Sequence, residues 1–186
     1  MNKNNIPITL RYALGLVGVT TLLFVLKLIF NRFESSQYLL VSQMLLIVNI
    51  FCTFFMMGLI WVVQIVNYPL FKNVGDKNFV LYHTKHVWRV TCVVAIPMFF
   101  EAISSIMLLY YPHPHIPAQL ILYGVALIFV VWLSTLFLLV PQHDALLKSF
   151  DIKAYQRINV YNWVRTVAWT LRGVICVIFL INILNI

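Results

Sequence analysis

Residues 39–66 contain no charged side chain, and a run of that length and character has few ways to fold. Four more apolar runs centre on residues 12–30, 87–110, 118–140 and 164–184. A helix needs about 20 residues to cross the hydrocarbon of a bilayer, so each run is long enough to span it. The run at 39–66 exceeds that length, which permits tilt or an extension into the headgroups. Hydrophobic residues make up 62% of the chain and charged residues 10%, too little polar surface for a water-soluble domain. The expected fold is an all-α integral membrane protein with five transmembrane helices.

The first run is preceded by Lys3 and Arg11, as a signal peptide would be. It is followed by Asn31-Arg32-Phe33-Glu34 and not by small residues, so it reads as an uncleaved helix. Residues 1–38 are then an N-terminal helix with its connector, and residues 39–186 a four-helix core. Gly15 and Gly18 on the first helix allow close packing, so oligomerisation is open.

Lysine and arginine counts orient such a chain. If the N-terminus shares a side with the loops around 67–88 and 141–164, that side holds Lys3, Arg11, Lys72, Lys77, Lys85, Arg89, Lys148, Lys153, Arg157 and Arg165. Only Lys27 and Arg32 fall on the other. The bias predicts a multi-pass membrane protein with its N-terminus in the cytoplasm and its C-terminus outside. It also accounts for the net charge of +8 through loops facing anionic lipid, with no nucleic-acid partner. Cys52, Cys92 and Cys176 lie singly in apolar runs without a C-x-x-C pair. They read as buried small hydrophobes, not as a thiol–disulfide enzyme.

Pro69 and Pro141 are expected to end the second and fourth spans, and Asp76 and Asp151 to cap the helices that follow. A short repeat results: W-(x)7-P, a loop, Asp and HVWRVT, then W-(x)8-P, a loop, Asp and NWVRTV. His86 and Asn162 each stand three residues before an arginine, Arg89 and Arg165, on one helical face. The core would then be two hairpins whose His/Asn–Arg faces converge at the cytoplasmic end, with the first helix peripheral. The outer loop YYPHPHIP reads as a tight turn, or as a loose surface metal site at His113 and His115.

Polar side chains collect near that cytoplasmic end. Gln64 and Asn67 close the second span; His83, His86 and Arg89 open the third. Ser134, Thr135, His143 and Asp144 come from the fourth, and Asn162, Arg165, Thr166 and Trp169 from the fifth. One reading is an interfacial anchoring layer with Trp61, Trp88 and Trp163. The other is a functional pocket, because intramembrane polar residues usually face the bundle interior. In that pocket His86 and His143 are candidate bases or ligands for a metal ion or haem. His83, a turn further out, is expected to be more exposed than His86. Arg89 and Arg165 would stabilise an anion, and Gln64, Asn67, Asn162 and Trp169 would bind substrate. Glu101 lies about 22 Å from His86 along a helix rising about 1.5 Å per residue, too far to share one ion. It either pairs with Arg172 or handles protons in a cavity.

The segments GLIWVVQIVNYPLF, FVLYHTKHVWR, IPMFFE and VPQHDALLKSFD with NWVRTVAWTLR resemble a family of uncharacterised bacterial multi-pass membrane proteins. More distantly, the VP…NWVRT portion is similar to the membrane family that includes fungal anthrone oxygenases. The resemblance covers roughly residues 55–175. It implies a four-helix core in a bacterial inner (cytoplasmic) membrane and oxidation of a flat, apolar, polyketide- or quinone-like molecule. Bacterial relatives often read His-Tyr-Pro where this chain has Asn67-Tyr68-Pro69, which weakens a metal site here. The function expected is a membrane oxidoreductase or oxygenase-like enzyme acting on a small hydrophobic substrate. The alternatives are a non-catalytic binder of lipid or a small solute, and a haem or metal protein.

Overall fold

The computed structural model describes residues 37–184. Every regular element among them is helical. Four helices are long and apolar enough to cross a membrane: α1 (Tyr38–Asn73), α2 (Asp76–Tyr110), α3 (Ala118–Leu146) and α4 (Ile152–Leu184). The span expected at 12–30 lies outside the described residues. The outward faces are strongly apolar: Phe51, Trp88 and Phe137 are 68%, 68% and 71% exposed. Lipid would cover such faces at no cost, whereas water would not. The four apolar helices mark a membrane protein. Cys52 and Cys176 are buried as expected, but Cys92 is on an exposed face.

The helices form a closed ring. α1 packs on α2 and α4, and α3 packs on α4, while α2 and α3 touch least of the neighbouring pairs. Successive helices joined by short turns therefore make an up-down bundle of two hairpins. Its apolar core falls into two clusters. One contains Met56, Phe71, Phe79, Leu139 and Trp169; the other contains Leu46, Leu108, Ile121 and Phe179. A band of buried polar side chains lies between them.

The prolines do not end their helices. α1 continues past Pro69 to Asn73, and α3 past Pro141 to Leu146. Each proline is preceded by one wide π turn, Val63–Asn67 and Thr135–Leu139. Proline lacks an N–H and its ring collides with the carbonyl four residues back. A wide turn relieves both problems, so the helix bends its hydrogen-bond ladder and carries on. The two turns fall at matching places in the repeat read from the sequence.

The caps differ from each other. Gly75 occupies the N-cap position of α2 with φ 78°, a left-handed conformation that a β-carbon would strain. Asp76 is the first helical residue and does not cap. Asp151 does: its Oδ1 accepts from the backbone N–H groups of Lys153 at 2.7 Å and Ala154 at 3.1 Å. It satisfies two of the donors that a helix start leaves free.

Candidate functional site

Where α2 and α3 separate, a cavity of about 250 Å³ opens inside the bundle. α2 lines it with one continuous stripe, including Val87, Val90, Val94 and Met98, positions that share a helical face. Most of the remaining wall is apolar. Most of the polar lining gathers in Tyr68, His86, Thr135, His143 and Arg165, while Thr91 and Trp169 are also in the wall. An apolar chamber with a few convergent polar groups is the usual form of a small-molecule site.

The wide turn before Pro69 carries Gln64 and is followed by Tyr68, both buried. Gln64 Nε2 donates to the Asn159 carbonyl at 3.1 Å, and its Oε1 accepts from Asn162 Nδ2 at 2.8 Å. Asn162 Oδ1 in turn accepts from Arg165 Nε at 2.9 Å and Nη2 at 2.5 Å. The Gln64–Asn162 pair thus fixes the guanidinium in place. Arg165 also donates to Thr135 Oγ1 at 3.4 Å and to the Tyr68 hydroxyl at 3.3 Å.

From Tyr68 a polar chain runs across the bundle. Its hydroxyl lies 3.2 Å from His143 Nε2, and His143 Nδ1 lies 3.2 Å from His83 Nε2. In each contact one atom donates and the other accepts. Arg165 can only donate to the Tyr68 oxygen, which polarises its O–H and favours donation onward to His143 Nε2. His143 then carries its proton on Nδ1 and donates to His83 Nε2. His83 Nδ1 holds the last proton of the chain, buried and without a partner.

His83 is fully buried and His86 only half-buried, the reverse of the expectation. The physical reason is the continuation of α3 beyond Pro141, which brings His143 over His83 with the rings 5.2 Å apart. Phe71 and Phe79 enclose it further. His86 makes ring contacts with Phe71, Tyr82 and Tyr68 but no hydrogen bond among the described residues. A neutral imidazole carries one N–H and one lone pair, so His86 offers the cavity one donor and one base.

A second polar cluster lies deeper and joins all four helices. Glu101 Oε1 accepts from Arg172 Nε at 2.8 Å and from Thr53 Oγ1 at 2.8 Å. Glu101 Oε2 accepts from Trp169 Nε1 at 2.9 Å. The remaining Arg172 nitrogens donate to the Gly124 carbonyl, Thr53 Oγ1 and Ser105 Oγ. Asn49 Nδ2 donates to Ser104 and Ser105 at 3.0 and 2.7 Å. A buried ion pair supplied with this many hydrogen bonds is a structural clamp.

The structure therefore brings Gln64, His86, His143, Asn162, Arg165 and Trp169 to one site. Arg89 is exposed, and Asn67, half-buried in the wide turn, does not line the cavity. Glu101 joins the clamp. Among the described residues no group of three or more His, Cys, Asp or Glu side chains is placed to hold a metal ion. Both nitrogens of His143 are engaged, by Tyr68 and His83. Tyr68 was not legible as a site residue, since a tyrosine beside a proline at a span end reads as an interfacial aromatic. Asn49, Thr53, Ser104 and Ser105 were missed because isolated small polar residues hardly disturb an apolar run. The only available signal was the spacing of both serines from Glu101, three and four residues on.

No protein-family model, curated protein or solved structure matches this chain.

Proposed function

We propose that this protein is a membrane oxidoreductase of the oxygenase type, acting on a small, flat, hydrophobic molecule that enters from the lipid. The observation that carries the reading is an apolar cavity whose single polar end holds an unbonded imidazole, His86, together with the anchored guanidinium of Arg165. His86 would take a proton from a phenol or an activated CH₂ group, and Arg165 with Tyr68 would hold the resulting anion. His143 has no free nitrogen and acts by positioning Tyr68. For a CH₂ substrate the electron pair left on carbon attacks dioxygen, giving a peroxide anion. That anion takes up a proton, and loss of water leaves a ketone. The balance is R₂CH₂ + O₂ → R₂C=O + H₂O, with no further electron donor. The resemblance to anthrone oxygenases supports this substrate class, and the lysine and arginine distribution supports a cytoplasm-facing pocket.

The test is oxygen uptake by the full chain in nanodiscs supplied with anthrone. Turnover that falls about a hundredfold or more in His86→Gln, the usual worth of a general base, would support the reading. Turnover unchanged in that variant would remove His86 from the chemistry. Binding of anthrone without oxygen uptake would instead make the protein a non-catalytic carrier of hydrophobic molecules.

A further inference from the structure

We infer that the molecule occupying this cavity is held as a hydrophobic monoanion, with its charged oxygen against Arg165. This rests on the cavity being a ligand site, as proposed above, and it specifies the ligand's charge.

The two arginines of α4 that reach the interior have opposite surroundings. Arg172 has a carboxylate, Glu101, at 2.8 Å. Arg165 donates only to neutral oxygens, those of Asn162, Thr135 and Tyr68. Among the described residues it has no acidic partner; the one ion pair there belongs to Arg172. A guanidinium stays charged under all accessible conditions. A charge drawn away from bulk water is normally paired, or faces a cavity where something else pairs it. Arg165, half-buried, fits the second case, because it lines the chamber.

Its neutral partners also act as a mount. Asn162 engages Nε and Nη2 together, and Gln64 holds Asn162 from behind. The fork is therefore oriented before any ligand arrives, which lowers the ordering cost of binding. A carboxylate, phenolate or enolate oxygen would receive a charge-assisted hydrogen bond, about twice as strong as one between neutral groups. The body of the ligand would lie along the apolar stripe of α2. At about 250 Å³ the chamber falls just below the usual range for drug-sized ligands of about 300–1,000 Å³, so the occupant is small. A ringed molecule and a short acyl chain share this chemistry.

The experiment uses the full chain in nanodiscs of zwitterionic lipid, with empty nanodiscs as the partition control. Three probes are titrated: 2-naphthoate, decanoate and uncharged 2-methylnaphthalene. The expected result is that 2-naphthoate binds about tenfold to a hundredfold more tightly than 2-methylnaphthalene, the worth of one hydrogen bond to a charged group. Arg165→Gln should abolish that preference and leave 2-methylnaphthalene binding in place, whereas Arg165→Lys should keep part of it. The tighter of the two anions identifies the natural body as ring or chain, and the charge assignment rests on the pair 2-naphthoate and 2-methylnaphthalene. Equal affinity for 2-naphthoate and 2-methylnaphthalene in the unsubstituted protein would overturn the anion while leaving the cavity a ligand site. An anionic preference that survives in folded Arg165→Gln would overturn the role of Arg165. If no probe binds, the ligand-site reading fails and the inference goes with it.

Discussion

Trp169 and Glu101 tie the cavity to the clamp beneath it. The indole Nε1 donates to Glu101 Oε2 at 2.9 Å, and the ring lies 6.0 Å from the Arg165 guanidinium. One fully buried side chain thus belongs to the wall of the chamber and to the ion-pair network at once. Trp169→Phe would keep one aromatic ring, leave Oε2 without that donor and open a void where the second ring of the indole stood. An unsatisfied buried acceptor costs about 1–3 kcal/mol and the void adds to it, so unfolding in detergent should shift by at least that amount. Measured against a Phe99→Leu control elsewhere in the chamber wall, the loss should be specific to Trp169.

The clamp itself should behave as a unit. Glu101→Gln or Arg172→Met alone leaves a buried charge without its counterpart, and each should destabilise by about 3–5 kcal/mol. The double variant should lose clearly less than the two single losses combined. Strict additivity in a double-mutant cycle would mean that the 2.8 Å pair contributes no coupling energy.

Asp151 links the start of α4 to pH. Backbone N–H groups of Ala154 and Lys153 hold its carboxyl below the ordinary carboxylate range. A depressed acid contributes stability above its unfolded value and loses it as pH falls through the folded one. Asp151→Asn keeps an acceptor at the cap but has no charge to lose. The advantage of the unsubstituted protein in thermal unfolding should therefore be present at pH 7 and shrink below about pH 4, where free carboxyls protonate. A constant difference across that interval would assign the cap's worth to geometry alone.

In the α2–α3 loop, burial first and the neighbouring His115 second lower the pKa of His113. Its Nδ1 accepts the backbone N–H of His115 at 3.3 Å, a bond that protonation at Nδ1 would break. The stabilising contribution is present above the ordinary histidine value and is lost as pH falls below about 6.5. In an NMR titration His115→Gln should raise the His113 midpoint, yet keep it below that of a free histidine, because burial is the larger cause. A midpoint unmoved by that substitution would show that the two imidazoles do not interact.

The long spans, their two-hairpin pairing and the polar gathering at one end were legible because each rests on simple periodicity or on an ionisable residue near a span end. His86, His143, Asn162 and Arg165 could be read from spacing alone. The burial of His83 could not, since it depends on α3 running past Pro141, and a proline ordinarily signals a stop. Arg89 shows the opposite failure: it shares the local pattern of Arg165, but α2 turns it outward where α4 turns Arg165 inward. Sequence spacing fixes which residues share a helical face, and only the neighbouring helices decide where that face points.

The two π turns have a consequence for how this chamber can vary. Each amounts to one surplus residue in an otherwise regular helix, and each lies between the long apolar part of its helix and the polar side chains beyond it. Removing a single residue from 63–67 would restore an ordinary ladder and swing Tyr68 by about 100° around the axis, away from Arg165 and His143. A deletion in 135–139 would do the same to His143. The span would survive either change, while the polar end of the chamber was dialled to a different face. Length at these two points acts as a coarse selector of which side chains meet, independent of what those side chains are.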